Sequence, residues 1–222
     1  MKGVRADAVL FDLDGTLIDS APDLAGAAND LRIVHGLPPL AVETLRPMVG
    51  AGARGMVGLA FGVKPGDDAY DGLRAAFLQR YAERMLEATR VFDDMASVLD
   101  ELDQAGMPWG IVTNKAMHLA EPIVAGLGLA PRARVLVGGD STPYAKPHPQ
   151  PLFEAARRMG TDPQRCVYVG DDLRDIQAGR AAGMAALAAA WGYLGQGEPV
   201  EAWGADAVMN RPDALLKWLA MA

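Results

Sequence analysis

The stretch Val9-Leu10-Phe11-Asp12-Leu13-Asp14-Gly15-Thr16 decides the fold of this 222-residue chain. Its first three residues are apolar and predict a short buried strand, which Gly15 and Thr16 end with a turn. Asp12 and Asp14 stand where that strand ends. Ligands bind beyond the carboxyl ends of the strands in an open parallel sheet, so the two carboxylates mark a candidate site if such a sheet forms.

The rest of the chain predicts such a sheet, because apolar strands and helices alternate from Phe92 onward. Further strands are predicted at residues 109–112, 135–137, 167–169 and 207–209. Helices are predicted at residues 95–104, 117–125, 151–159, 176–182 and 212–219. The alanine-rich segment 185–190 fits a strand or a helix, since alanine favours neither. This alternation predicts an α/β fold with a Rossmann-like parallel sheet and helices on both faces.

A helical block interrupts this pattern after the first strand. A helix begins at Pro22-Asp23-Leu24, and helical patterns recur near residues 42–46, 53–60 and 69–88 without strand-like alternation. The block is too long for a structureless loop. We therefore predict a small all-helical cap at residues 19–90, inserted into a core made of residues 1–18 and 91–222.

Charge and cysteine content limit the partners and the setting. The net charge is −7, so nucleic acid and anionic lipid surfaces are not expected to bind. The single cysteine, Cys166, lies in an apolar stretch and is expected to be buried and inert. The first apolar run is cut short by aspartates, which argues against a signal peptide, and no stretch is long enough to span a membrane. We expect a cytoplasmic monomer or homodimer that acts on a small molecule.

Polar residues follow the other strands of the core as well. They are Thr113-Asn114-Lys115, Lys146-Pro147-His148-Pro149 and Gly170-Asp171-Asp172, with Asp175 one helical turn further on. Each segment alone is more typical of a turn or a helix cap than of a site. Clustered carboxylates repel one another, however, and a divalent cation bound together with phosphate oxygens offsets that cost. Four such strand ends in one plane therefore favour a site that holds Mg²⁺ and a phosphate.

These segments resemble the four motifs of the haloacid dehalogenase-like hydrolases. They occur in the family's order, and the resemblance covers essentially the whole chain. Residues 20–24, 49–54, 113–115, 146–149 and 191–193 are similar to the phosphoglycolate phosphatase branch. Residues 52–57 and 120–123 look more like the N-acetylmuramic acid 6-phosphate phosphatases. The helical block stands where the family inserts its cap.

The resemblance implies a role for each motif residue. Asp12 is the expected nucleophile, which forms an aspartyl-phosphate, and Asp14 the general acid that becomes the base for water. Thr113, Asn114 and Lys146 are expected to hold the phosphoryl group. The Mg²⁺ ligands expected are the carboxylates of Asp12 and Asp171, the backbone carbonyl of Asp14 and, through water, Asp175.

Several residues remain open between a functional and a structural role. Asp172 fits a helix start at least as well as a site. Lys115 and His148 stand beside motif residues, where a surface role is about as expected as a functional one. Arg54, in the cap, either binds a substrate carboxylate or sugar oxygen or is a solvated arginine. The glycines around Arg54 would let that loop approach a substrate closely.

The function expected is a Mg²⁺-dependent phosphatase for a small phosphorylated metabolite. A phosphoglycolate phosphatase-like activity stands first, with N-acetylmuramic acid 6-phosphate hydrolysis as the alternative. A phosphomutase would share every catalytic residue, so the sequence argues against it less strongly than against the two alternatives that follow. Asp14 and Asp171 argue against a dehalogenase, which needs neither a second acid nor Mg²⁺. A signalling receiver domain is shorter, lacks a helical insertion and carries its acidic residues on different strands.

Overall fold

The computed structural model describes residues 6–221. Its strands are β1 (Ala8–Phe11), β2 (Ile18–Asp19), β3 (Arg90–Val91), β4 (Trp109–Val112), β5 (Leu136–Val137), β6 (Cys166–Gly170), β7 (Ala185–Ala189) and β8 (Ala207–Met209). Six of them form one parallel sheet in the order β5-β4-β1-β6-β7-β8. The predicted α/β class and parallel sheet are confirmed, and β1 lies in the middle of the sheet.

The helices fall into a cap group and a core group. The cap helices are α1 (Ala21–Val34), α2 (Val42–Leu45), α3 (Gly52–Phe61) and α4 (Tyr70–Arg84). The core helices are α5 (Asp93–Gln104), α6 (Met117–Gly126), α7 (Gln150–Met159), α8 (Leu173–Ala181) and α9 (Ala214–Trp218). Helices thus follow the strands of the large sheet, as the alternating sequence pattern predicts.

The alternation of side chains along β1 explains why helices cover both faces. Val9 and Phe11 pack into one apolar cluster, and Ala8 and Leu10 pack into the other. Successive strand residues point to opposite faces, so a strand that is apolar throughout must be covered on both sides. Cys166 lies in the second cluster and is buried, as expected.

The cap is joined to the core by a small ribbon that the sequence did not predict. β2 and β3 pair antiparallel, with Ile18 opposite Val91 and Asp19 opposite Arg90. Two residues per strand are too few to produce a detectable alternation. The inserted helical cap is confirmed as part of the fold, while its division from the core at residues 18/19 and 90/91 stays a prediction.

The neighbouring strands decide the secondary structure of the alanine-rich segment 185–190. β7 pairs with both β6 and β8, and four of its five residues are buried. Alanine has no preference of its own here, so tertiary pairing decides in favour of the strand.

By length and by apolar character, none of the helices in the described part of the chain, residues 6–221, matches a membrane span.

Candidate active site

The predicted site residues meet at one edge of the large sheet. The backbone N–H of Asp12 still donates to Val169 on β6, and that of Thr113 donates to the carbonyl of Val137 on β5. Both side chains are therefore fixed at strand ends. They line a cavity of about 380 Å³ between the sheet edge and the cap. The same cavity is lined by the other predicted core residues: Asp14, Asn114, Lys146, Asp171 and Asp175.

Lys146 lies at the centre of the buried polar contacts. Its Nζ is 2.8 Å from Asp12 Oδ1 and 2.7 Å from Asp175 Oδ1. It also donates to the carbonyl of Val112 at 3.0 Å and to the hydroxyl of Tyr168 at 2.7 Å. Burial by itself would lower the pKa of Lys146, but the carboxylates of Asp12 and Asp175 outweigh it and raise that pKa. The ammonium group is therefore charged and held in place.

The side-chain amide of Asn114 bonds to the backbone of Lys146, while its expected contact with the phosphoryl group stays a prediction. Its Nδ2 donates to the carbonyl of Lys146 at 2.9 Å, and its Oδ1 accepts from the N–H of Lys146 at 2.9 Å. This pair of bonds fixes the loop that carries the lysine. The hydroxyl of Thr113 accepts from the N–H of Lys115 at 3.1 Å, which leaves its O–H free to donate into the cavity.

Asp171 is held through both of its carboxylate oxygens. Thr16 Oγ1 donates to Oδ1 at 2.9 Å, and the N–H of Tyr193 donates to Oδ2 at 2.8 Å. Gly15 packs against the same carboxylate with φ +86°, and a Cβ there would lie 2.1 Å from Oδ2. Only glycine fits both the left-handed backbone and the close approach. The glycine of the opening motif thus shapes the pocket around Asp171.

Three of these carboxylates form a candidate cation site. One oxygen each from Asp12, Asp171 and Asp175 lies within 4.8 Å of the others. Burial raises the pKa of Asp12 to about 7, against the opposing effect of Lys146. Burial, reinforced by the neighbouring charges of Asp12 and Asp175, also raises the pKa of Asp171 well above its usual range. Without a cation, the site therefore favours protonated carboxyl groups.

A divalent cation fits this donor set by charge and by chemistry. Around the cluster, the carboxylates of Asp12, Asp14, Asp171 and Asp175 outnumber the ammonium groups of Lys115 and Lys146 by two when all are ionised. Asp172 and Arg174 also line the cavity and pair with each other, and the charge of Arg74 lies on an exposed side chain of α4. Hard oxygen donors suit Mg²⁺. Both oxygens of Asp175 already accept hydrogen bonds, from Tyr168 and from the N–H of Asp172.

Asp14 lies apart from the three clustered carboxylates. Its Oδ1 accepts from Ser20 Oγ at 2.5 Å and from Lys115 Nζ at 2.8 Å. Lys115 also donates to the hydroxyl of Tyr81 on α4 at 2.6 Å. The side chain of Lys115 is largely buried, so the surface alternative for this residue is wrong. It joins Asp14 of the core to a cap helix.

The remaining open residues lie outside the central contacts. Asp172 is the N-cap of α8 and forms a capping box with Asp175, which is the helix-start role considered above. His148 is exposed and stacks on Tyr144 with ring centroids 4.4 Å apart. Arg54 is exposed and lines a second cavity of about 260 Å³ rather than the first. The substrate role of Arg54 stays a prediction that this arrangement does not support.

Cap residues that the sequence analysis missed line the first cavity. They are Leu24, Arg74, Phe77, Leu78 and Tyr81, with His118 and Leu119 from α6 on the core side. The signal available was the spacing of positions 74, 77, 78 and 81, which places them along one face of a helix. Such a stripe is more often part of a hydrophobic core than of a site, so the spacing alone does not predict a cavity wall.

Comparisons with known proteins agree with this geometry. A family model described as haloacid dehalogenase-like hydrolase matches residues 6–183. N-acetylmuramic acid 6-phosphate phosphatase from Pseudomonas aeruginosa is 43% identical over 97% of this chain and 96% of that protein. Phosphoglycolate phosphatase from Xanthomonas campestris is 47% identical over 94% of each chain. The crystal structure of a predicted phosphoglycolate phosphatase from Haemophilus somnus superposes with a TM-score of 0.84 at 27% identity, covering 96% of this chain and 97% of that one.

Proposed function

This chain belongs to the haloacid dehalogenase-like hydrolases, and we propose that it is a Mg²⁺-dependent phosphatase that hydrolyses a small phosphorylated metabolite through an aspartyl-phosphate. The observation that carries the proposal is the contact of Lys146 with Asp12 beside Asp171, at the floor of a cavity closed by the cap. Nucleophile, charge partner and cation donors thus lie around one point. Relatives named as phosphatases over nearly the whole chain support the same reaction class.

In the first step, a carboxylate oxygen of Asp12 forms a bond to phosphorus while the bond from phosphorus to the ester oxygen breaks. Asp14 gives its proton to the departing oxygen, so the leaving group departs as an alcohol. A carboxylate is ionised near neutral pH when its charge is compensated, and Lys146 supplies part of that compensation at 2.8 Å.

In the second step, water attacks the phosphorus of the aspartyl-phosphate. Asp14, now ionised, takes a proton from that water, and the bond between phosphorus and Asp12 breaks to release phosphate. Lys115 is placed to hold Asp14 during both steps, since its Nζ is 2.8 Å from Oδ1. Thr113 and Lys146 donate to the phosphoryl oxygens, which carry the developing charge.

Mg²⁺ bound at Asp12, Asp171 and the carbonyl of Asp14, with Asp175 nearby, would neutralise the charge between the nucleophile and the phosphate dianion. The excess of negative charge in the site supports this assignment. Each residue of the proposed site then has its own role in the reaction. Asp12 attacks, Asp14 moves a proton, and Thr113 and Lys146 orient the phosphoryl group.

Two leaving groups follow from the relatives, namely glycolate and N-acetylmuramic acid. Phosphoglycolate is the first substrate to test, because the motif segments favour that branch. The cavity of about 380 Å³ favours a larger leaving group, and this observation keeps N-acetylmuramic acid 6-phosphate as the second candidate.

The experiment is phosphate release from p-nitrophenyl phosphate with Mg²⁺ and with a chelator. We expect turnover only with Mg²⁺, and loss of that turnover in Asp12→Asn with an unchanged melting temperature in the presence of Mg²⁺ to within a few degrees. Asp100→Asn, at an exposed surface ion pair, is the matched control and should keep full activity. Near-normal release by Asp12→Asn would remove Asp12 as the nucleophile. Isomerisation of a sugar phosphate without free phosphate would indicate a phosphomutase instead.

A further inference from the structure

We infer that the substrate carries a second anionic group at the far end of its leaving group, and that Arg74 of α4 binds it. This inference rests on the proposed function, because it takes the phosphate to lie at Asp12 and Lys146. It concerns the other end of the same cavity. The leaving group it describes is a carboxylated skeleton of sugar size rather than a two-carbon acid.

The inner end of α4 is fixed beside the catalytic residues. The hydroxyl of Tyr81 accepts from Lys115 Nζ at 2.6 Å, and the same Nζ is 2.8 Å from Asp14 Oδ1. Tyr81 is buried and stacks on Phe77 with ring centroids 6.4 Å apart. This end of α4 therefore has a definite position relative to the proton donor.

The outer end of the same helix face carries Arg74. Arg74 stands seven residues before Tyr81, close to two turns, and both side chains line the cavity. At about 1.5 Å per residue, the two Cα atoms are on the order of 10 Å apart along the axis. In phosphoglycolate, the few bonds between phosphorus and the carboxylate span at most ~5 Å. The axial separation of the two Cα atoms exceeds this span, which favours a longer leaving group in a ligand held at both Asp12 and Arg74.

The helix face between these two ends is apolar, because Phe77 and Leu78 stand between Arg74 and Tyr81 and line the cavity. Leu24, Val49 and Leu119 from other elements add to the apolar part of the lining. Such a wall favours contact with carbon and offers no charge partner. A skeleton with a ring or a comparable carbon body fills it, whereas a two-carbon chain leaves it unfilled.

Arg74 has its charge available for a ligand. Arg80 and Arg84 of the same helix form ion pairs with Glu83 and Asp30. Arg74 forms no ion pair or side-chain hydrogen bond with any residue in the described range 6–221, and its side chain is exposed at the cavity opening. A guanidinium group presents paired donors that match a carboxylate. His118, also exposed, adds a second possible donor to the lining of the same cavity.

The test uses three phosphate esters that separate size from charge. N-acetylmuramic acid 6-phosphate has the ring and a carboxylate, N-acetylglucosamine 6-phosphate has the ring alone, and phosphoglycolate has the carboxylate on a short chain. We expect the wild-type kcat/KM to be about tenfold to a hundredfold higher for the carboxylated ring than for the uncharged ring, the range of one charge-assisted hydrogen-bonded pair.

Arg74→Ala should reduce that ratio to about one, mainly through a higher KM for the carboxylated ring. Arg74→Lys should restore part of it, because the charge returns without the paired donors. Arg80→Ala is the matched control on the same helix and should leave the ratio at its wild-type value. Arg74 is exposed, so its variants are expected to fold, which melting temperatures will check.

An unchanged ratio in Arg74→Ala overturns the inference while the phosphatase activity stands. A higher wild-type kcat/KM for phosphoglycolate than for either ring ester also overturns it. If the wild type releases phosphate from none of the esters nor from p-nitrophenyl phosphate, the proposed function itself fails, and this inference fails with it.

Discussion

The floor of the cavity, at the strand ends of the core, and its roof, on cap helix α4, differ in how their side chains are bonded. On the floor, Lys146 contacts four oxygen atoms and Asp171 is held through both carboxylate oxygens. On the roof, Phe77 and Leu78 offer apolar surface, and Arg74 has no ionic partner within residues 6–221. In the proposed reaction, the fully bonded polar cluster would hold the phosphoryl group, and the apolar wall with Arg74 would contact the leaving group.

Replacing Lys146 removes the central contact of the cavity floor and should have the largest effect on activity and stability. In Lys146→Ala, the buried carboxylates of Asp12 and Asp175 lose their shared partner. We expect kcat to fall by about 10³-fold or more, and the free energy of unfolding to fall by about 3–5 kcal/mol in the metal-free protein. Steady-state phosphate release and denaturant unfolding measure the two effects. Lys217→Ala, on an exposed lysine, is the control. A kcat within tenfold of wild type would contradict the central role of Lys146.

The rise in melting temperature that a cation bound at the cavity floor produces should depend on pH. The folded-state pKa of Asp12 is raised from 3.8 to about 7, so its stabilising contribution is present below about pH 4 and is lost as pH rises through 7. In the proposed site, Mg²⁺ would bind the ionised carboxylates and offset that loss. We expect Mg²⁺ to raise the melting temperature by several degrees more at pH 8 than at pH 5.

Thermal unfolding at both pH values, with Mg²⁺ and with a chelator, measures this difference. In Asp12→Asn the difference should shrink, because one ionisable ligand is gone. An equal or larger rise at pH 5 than at pH 8 would count against cation binding at these carboxylates.

Tyr81→Phe removes a hydrogen bond between the roof and the floor of the cavity, so it tests how far the two parts depend on each other. The bond to Lys115 is 2.6 Å long, and a bond to a charged group contributes about 1.5–3 kcal/mol. We expect kcat/KM to fall by about tenfold and the free energy of unfolding to fall by up to about 3 kcal/mol. Tyr70→Phe, elsewhere on α4, is the control, since the Tyr70 hydroxyl bonds to no residue in the described chain. An unaltered kcat/KM in Tyr81→Phe would show that the link is not needed.

Asp172→Ala should have the smallest effect. Asp172 caps α8, and the loss of such a cap costs about 1 kcal/mol of unfolding free energy. Asp172→Asn keeps a capping side chain and should recover most of that stability. Denaturant unfolding of the two variants checks the difference. A loss of activity as large as that of Lys146→Ala would instead move Asp172 into the catalytic group.

The floor was largely predictable from the sequence, and the roof was not. Asp12, Thr113, Lys146 and Asp171 follow apolar strands, and parallel strands bring their carboxyl ends to one edge. The spacing along the chain therefore carries the spatial information. The roof has no such rule, because the packing of α3 and α4 on the core decides which of their faces line the cavity.

Arg54 and Arg74 show why the sequence does not identify the cap residues that line the cavity. Glycines around Arg54 drew attention to it, but α3 directs its side chain to the second cavity. Arg74 stands in an ordinary amphipathic pattern and lines the first cavity. Asn114 shows a different limit: its residue type is compatible with phosphate binding, yet its amide spans the backbone of Lys146. A polar side chain at a site can serve the ligand or the loop, and the sequence does not distinguish these uses.

The short ribbon of β2 and β3 has a consequence for how such an enzyme can diversify. Asp19 and Arg90, at which we predict that the chain leaves and re-enters the core, are paired neighbours. Facing residues of an antiparallel pair are about 5 Å apart, so an inserted unit of any length whose two ends meet can occupy this junction. The helical segment is thus attached through one narrow junction, so a segment of another length can replace it without a change in the strand order of the large sheet.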